Sequence, residues 1–282
     1  MSQYNKCRNE AMVLLMRWLI ILFVTGLVAC SSVSKKEVDT VDNPAVDNQF
    51  VPVKENLREA SKINTELGVG YIKRHQYKVA RKKLEKALKQ DDSNVSAYKT
   101  LAYLYAILGL KDQARKKYEQ ALELKPDDAD LLNSYGAFLC STGAMDEAQK
   151  KFKQAYSNPF YSSLYLAESN AGSCYLKQGK YAKAEALLRK SLRIQPKLAG
   201  SLLSMADLGI KTRRYLMARA YIERYHAIRK PSSDSLWIQI QAEKGLGNKQ
   251  FYMKYARQLI HDFPDSDQAG WVEAQEKHAQ FR

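Results

Sequence analysis

Residues 95–128 read VSAYKTLAYLYAILGLKDQARKKYEQALELKPDD, and residues 129–164 continue ADLLNSYGAFLCSTGAMDEAQKKFKQAYSNPFYSSL. Laid one over the other, the two stretches place Leu101-Ala102 above Tyr135-Gly136, Gly109 above Gly143, Ala114 above Ala148, and Pro126 beside the Pro159-Phe160 pair. Working outward, Leu67-Gly68, Ala171-Gly172 and Met205-Ala206 extend the same alignment, in steps of 34, 34, 36 and 34 residues. Counting from residues 61, 95, 129, 165, 199 and 233, position 8 is Gly68, Ala102, Gly136, Gly172, Ala206 and Ile240. Position 20 is Ala80, Ala114, Ala148, Ala184, Ala218 and Tyr252, and proline stands at or beside position 32 in five of the six units.

These identities have a steric cause. Small side chains at positions 8 and 20 let two helices approach closely, larger ones such as Leu101, Tyr105 and Tyr118 fill the space between stacked units, and glycine near position 15 supplies a turn. A proline near position 32 ends the second helix, because it has no amide donor and restricts the residue before it. A 34-residue helix–turn–helix period is that of tetratricopeptide repeats. The sequence therefore predicts an all-α, right-handed superhelical solenoid of six such repeats within residues 59–266, bounded as 61–94, 95–128, 129–164, 165–198, 199–232 and 233–266. Repeat 6 is degenerate at positions 8 and 20. Residues 267–282, with Trp271 and Val272 among polar residues, are expected to form a helix that covers the last open face.

Composition agrees. Gly and Pro together account for 20 of 282 residues, about 7% where average usage gives roughly 12%. The turn-rich chemistry of an all-β sandwich or barrel is missing. A charged content of 27% beside 45% hydrophobic residues describes a chain that can fold, with a formal charge of +15.

Residues 1–29 stand outside the repeat. Lys6, Arg8 and Arg17 precede the apolar run from Trp18 to Ala29, after which the chain turns polar at Ser31-Ser32. That is the layout of a secretory signal, and it is too short for a spanning helix. Leu27-Val28-Ala29-Cys30 resembles the lipobox of bacterial lipoproteins, which implies cleavage before Cys30 and a diacylglycerol on its thiol. Ser31 is what lipoproteins sent to the outer membrane usually carry. Residues 30–58 have few large apolar side chains and two prolines, Pro44 and Pro52, and are expected to form a flexible lipid-anchored tether. Met12 or Met16 would serve equally well as the start.

No catalytic constellation is visible. His75, His226, His261 and His278 are far apart in sequence, and no HExxH, GxSxG, phosphate loop or zinc-spaced cysteine pair occurs. The expectation is a protein that is not an enzyme and carries neither cofactor nor metal. With Cys7 discarded and Cys30 acylated, Cys140 and Cys174 remain, on first helices of adjacent repeats. In an oxidising compartment they are expected to form a disulfide joining repeats 3 and 4, the other arrangement open to them being two buried thiols.

The positive charge is concentrated. Residues 171–230 contain fourteen Lys and Arg against Glu185, Asp207 and Glu223, a net of +11. Nucleic acid is the usual partner of such a patch, but export argues against it. An acidic protein surface, anionic lipid or lipopolysaccharide phosphate is the expected alternative, beside a plain solvated face.

Several strings go beyond the generic repeat: Asn133-Ser-Tyr-Gly-Ala-Phe-Leu-Cys140, Asn158-Pro-Phe-Tyr161, Glu168-Ser-Asn-Ala-Gly-Ser-Cys174, Ala218-Arg-Ala-Tyr-Ile-Glu-Arg-Tyr225, Ser235-Leu-Trp-Ile238 and Phe263-Pro-Asp-Ser266. On these the chain resembles the outer-membrane lipoproteins of type IV pilus biogenesis and stability, the pilotins of the pilus secretin. The Asn-Pro-Phe-Tyr string coincides with the two extra residues between repeats 3 and 4. The resemblance implies a monomeric lipoprotein on the periplasmic face of the outer membrane that helps secretin subunits reach that membrane and multimerise. A periplasmic scaffold serving another envelope machine, a peptidoglycan hydrolase or outer-membrane protein assembly, is the alternative. Positions 2, 5, 9, 12 and 13 of each repeat should face the groove. They place Thr65, Val69, Ile72, Lys99, Tyr103, Ile107 and Asn133, followed by Ala137 and Ser141, on a mixed, largely apolar lining suited to a hydrophobic partner segment.

Overall fold

The structure is a computed structural model and describes residues 53–280, with side chains as far as Gln275. The signal segment 1–29, the lipidation site Cys30 and the tether as far as residue 52 lie outside the described residues. The described residues belong to one compact unit, Val51–Arg282.

Thirteen helices and no strand occur among the described residues. They pair as α1 (Val53–Lys73) with α2 (Tyr77–Gln90), α3 (Val95–Ile107) with α4 (Lys111–Leu124), and α5 (Ala129–Ser141) with α6 (Met145–Tyr156). Then come α7 (Leu164–Lys177) with α8 (Tyr181–Ile194), α9 (Ala199–Lys211) with α10 (Tyr215–His226), α11 (Ser233–Gly245) with α12 (Lys249–Asp262), and the last helix α13 (Asp267–Gln280). The chain is a tetratricopeptide solenoid. Each first helix has Cα atoms within 8 Å of the first helix of the next repeat, whereas successive second helices have none. The first helices therefore crowd along an inner face and the second helices splay along an outer one.

Side-chain caps start several helices. Asn94 accepts from the amide of Ala97 at 3.0 Å and Asp128 from that of Leu131 at 2.9 Å, while Ser232 and Ser235 form a reciprocal capping box on α11. Within each repeat the two helices are joined at position 15 through a positive φ, at Gly109, Gly143, Gly179 and Gly247. His75 and Arg213 hold the same place with φ of 58° and 56°. The hydrogen bonds show why: Gln76 N to Tyr71 O and Arg214 N to Gly209 O reproduce Leu110 N to Tyr105 O. That helix-ending motif needs a left-handed residue whichever side chain is present.

A buried core runs the length of the solenoid: Leu84, Leu101, Leu131 and Phe152 in repeats 1 to 3, Leu188, Leu202 and Met205 in repeats 4 and 5, and Leu236 and Leu259 in repeat 6. Ala269 and Val272 of α13 close its C-terminal end. At the other end α1 begins at Val53, so residues 53–58, expected as tether, are helical. They are good helix formers with Glu55 in the first turn. Their side chains stay exposed, Val53 and Leu57 included, since no helix among the described residues covers that face.

Among the described glycines, Gly209 is the one pressed most closely by the backbone of a second helix. A Cβ built there would fall 2.8 Å from the amide nitrogen of Ala218 and 2.9 Å from its Cα. These are backbone atoms that cannot rotate away. Gly209→Ala is expected to lose about 1–3 kcal/mol in urea unfolding despite the roughly 1 kcal/mol helix propensity it gains. Gly270→Ala, with nothing within 4 Å, should gain up to about 1 kcal/mol. Equal effects from the two would refute the close-packing account.

Candidate functional site

The inner face of repeats 1 to 3 carries a hollow of about 680 Å³ walled by α1, α3 and α5. Val69, Ile72, Tyr103, Ile107 and Ala137 give it an apolar surface, and Lys73, His75 and Lys99 stand at its rim. Tyr103 and Ile107 are 53% and 40% exposed, large apolar surfaces turned to solvent within a concavity. Beneath them Tyr118 stacks on Tyr135, ring centroids 5.1 Å apart, and Phe138 packs at 5.4 Å from Tyr118. Burial and a hydrogen bond to Glu119 push the Tyr135 phenol up to about 12. At neutral pH this floor is uncharged.

Charged and amide groups fix the far wall. Lys99 pairs with Asp130, so part of the rim charge is neutralised. Asn133 accepts from Asn170 Nδ2 at 2.9 Å, and its own Nδ2 lies 3.4 Å from the Tyr161 hydroxyl. Six of the seven expected groove residues, Val69, Ile72, Lys99, Tyr103, Ile107 and Asn133, line this one hollow. Thr65 does not. Its Oγ1 donates to Ser61 O at 2.8 Å and accepts from Asn94 Nδ2 at 3.2 Å, which buries it in a polar cluster between α1, α2 and α3. Ser141 lies outside the hollow as well.

A second hollow of about 960 Å³ follows on the inner face of repeats 4 to 6, with a lining more mixed than that of the first. Ser173 and Ser204 bridge it by a 2.8 Å hydrogen bond, and Asp207 faces Lys211 at 3.8 Å. Desolvation raises the Asp207 carboxyl above its ordinary value, opposed by Lys211. Ser173, Leu176, Lys177, Leu203, Asp207, Lys211 and Asp234 all occupy the groove positions of their repeats, so the register that named the first hollow also names the second.

Between the hollows, Cys140 of α5 and Cys174 of α7 are joined by a disulfide, with Cα atoms 6.0 Å apart. One turn from the N-terminus of α7 lies Glu168, 7% exposed, whose Oε2 has no hydrogen-bond partner among the described residues. Burial raises its pKa, and Lys190 and Arg193 of α8 act against the shift. An acid whose folded pKa is raised favours folding when protonated. Its penalty is therefore full at neutral pH and fades as pH falls through the raised value toward the ordinary one near 4.5. Glu168→Gln should be more stable than the parent at pH 7, with the advantage shrinking on acidification. A variant no more stable at pH 7 would remove the buried-charge reading.

Among the described residues no three His, Cys, Asp or Glu side chains gather as metal ligands. His75 contacts the Tyr77 hydroxyl at 2.8 Å, His226 the Ser235 hydroxyl at 3.0 Å and His261 the Asp262 carboxylate at 2.7 Å. These three histidines thus each meet a partner close by in the sequence. Burial lowers the pKa of His226.

Comparison with known proteins adds specificity. A family model for the tetratricopeptide repeat matches residues 65–129 and 108–163, and a second matches residues 166–198. The chain is 28% identical over 248 residues to the type IV pilus assembly protein PilF of Pseudomonas aeruginosa, covering 88% of this chain and 94% of that protein. The crystal structure of PilW, described as a widely conserved type IV pilus biogenesis factor, superposes with a TM-score of 0.70 at 33% identity, covering 75% of this chain and 97% of that one. The structure of Pseudomonas aeruginosa PilF gives 0.69 at 29% identity, covering 78% and 99%.

Proposed function

Since the chain belongs to the family of tetratricopeptide-repeat type IV pilus biogenesis proteins that includes PilW, we propose that it is a pilotin: an outer-membrane lipoprotein, acylated at Cys30, that brings pilus secretin subunits to the outer membrane and promotes their multimerisation. The observation that carries this reading is the extent of the likeness. It takes in almost all of the PilW and PilF structures, so what is shared is the whole solenoid rather than one repeat motif.

The physical logic is that of a tethered adaptor. Acyl chains contribute membrane affinity at about 0.8 kcal/mol per buried methylene, and the tether raises the local concentration of whatever the repeats hold. The hollow of repeats 1 to 3 suits an apolar segment of a secretin subunit, laid against Tyr103 and Ile107. The protein works as a monomer, without cofactor, catalysis or nucleic acid.

Deleting the gene should abolish secretin multimers and leave other envelope proteins unchanged. Normal multimers together with normal twitching would refute the reading. Cys30→Ala should yield folded protein that no longer fractionates with the outer membrane. If the variant still does, the lipid anchor is wrong.

A further inference from the structure

The loop between α6 and α7 contains the two residues by which the third repeat exceeds its neighbours, and it presents the most exposed large apolar side chain among the described residues. Phe160 is 94% exposed. The loop is nonetheless held in shape: the amide of Phe160 donates to Asn158 Oδ1 at 2.9 Å and that of Tyr161 to Asn158 O at 3.1 Å. Tyr161 turns inward, packed on Ala129, Leu132, Ala155 and Ala167. The pinned loop thus aims one phenyl ring at solvent, at a full cost in hydrated apolar surface.

The same edge is basic beyond Phe160. Antiparallel pairing brings the C-terminal half of α8 beside the start of α7, where Lys190 and Arg193 act on Glu168. Lys197 follows in the next loop, and Arg224 of α10 reaches over to donate to Pro196 O at 3.0 Å. Arg229 and Lys230 continue the row in the loop after α10. Lys190, Arg193 and Lys197 are exposed, and none has a carboxylate within 4.0 Å among the described residues. Ile194, 51% exposed, stands among them. In repeats 1 and 2 the loops at this edge carry Asp91, Asp92, Asp127 and Asp128, beside Lys86 and Lys89 at the register positions of Lys190 and Arg193.

We propose that the edge from Phe160 to Lys230 docks on an anionic phospholipid surface, with the Phe160 ring entering the headgroup layer and the Lys and Arg side chains meeting lipid phosphates. Aromatic rings and long cationic side chains are the groups that settle at a membrane–water boundary, and basic residues near an anionic leaflet add affinity one by one. The aspartates in the loops of repeats 1 and 2 offset the lysines beside them and weaken the attraction of that end to the same surface. Docking therefore tilts repeats 1 to 3 away from the lipid and leaves their hollow open to a partner. This inference does not depend on what that partner is.

The test uses the chain from Ser31 onward, which keeps the whole compact unit and lacks the acylated cysteine. It is co-sedimented with phosphatidylethanolamine/phosphatidylglycerol vesicles and with phosphatidylcholine vesicles. Wild type should pellet with the first and not the second, less so as salt is raised. Phe160→Ala should weaken binding about tenfold. The triple Lys190→Glu, Arg193→Glu, Lys197→Glu should weaken it about a hundredfold or more. The triple Lys190→Gln, Arg193→Gln, Lys197→Gln, which adds no carboxylate near Glu168, should weaken it about tenfold or more. The triple Lys78→Glu, Lys82→Glu, Lys116→Glu, with the same change in net charge on exposed positions of α2 and α4, should bind as wild type. Wild-type protein that stays in the supernatant overturns the proposal and leaves the edge to an acidic protein surface. Equal losses in the two glutamate triples, or unchanged binding by Phe160→Ala, overturn it as well.

Discussion

Arg219→Ala is expected to lower the unfolding free energy by about 3–5 kcal/mol, a large effect for one substitution on an outer helix. Arg219 on α10 grips the Glu243 carboxylate of α11 with two nitrogens, Nε at 2.8 Å from Oε1 and Nη2 on Oε2. The Glu243 side chain is only 2% exposed, and its one further hydrogen bond comes from Gln239 Nε2 at 3.2 Å. Removing the guanidinium leaves a buried carboxylate almost alone, and the desolvation it suffered on folding is no longer offset. Arg219→Lys should recover part of the loss, since an ammonium supplies charge without the two-pronged geometry. The double variant Arg219→Met, Glu243→Leu should return to near parental stability, because the pair's value lies in satisfying its own burial. Urea unfolding of the four proteins tests this. A double variant as unstable as Arg219→Ala would mean that the pair does something other than neutralise itself.

Reduction of the Cys140–Cys174 bridge is the second large effect. The bond closes a loop of 34 residues of sequence separation, which on the chain-entropy model is worth about 3–4 kcal/mol through the unfolded state. Cys140→Ser with Cys174→Ser should show that loss in denaturant midpoints, and the parent should approach the variant once reductant is present. Because Cys174 is fully buried and Cys140 nearly so, reductant should act slowly on the native protein and quickly on the unfolded one. Thiol counting on unfolded, unreduced protein from Ser31 onward should find none. Two reactive thiols would dispose of the bridge.

The solenoid was legible in the sequence because its rules are steric. Gly136 at position 8 must be small, since a Cβ there would lie 2.7 Å from the Phe152 ring, and such constraints recur at fixed spacing. What depends on solvent exposure was harder to read. Glu168 and Glu243 look like ordinary surface charges in their helices, yet both are buried. Thr65 holds the same repeat position as Lys99 and Asn133, but its short hydroxyl finds partners at Ser61 and Asn94 before it reaches the groove. The hollow of repeats 4 to 6 has its residues in the right register, but its mixed lining carries no apolar signature to set it apart in the sequence. Residues 53–58 share the tether's scarcity of large apolar side chains and bury nothing, so helix propensity alone extends α1 through them. The left-handed turns at His75 and Arg213 carry no glycine to announce them.

The placement of the disulfide has a mechanical consequence. Successive outer helices keep their Cα atoms more than 8 Å apart and meet through long side chains such as Arg115 and Glu147, so the solenoid resists bending mainly through its inner row, as a coil spring opens along its loose side. A covalent bond between α5 and α7 stiffens one joint of that inner row, between repeats 3 and 4. The two hollows then ride on separate arms hinged to a rigid middle, and a load applied to one arm is transmitted through this joint to the other instead of being absorbed by it.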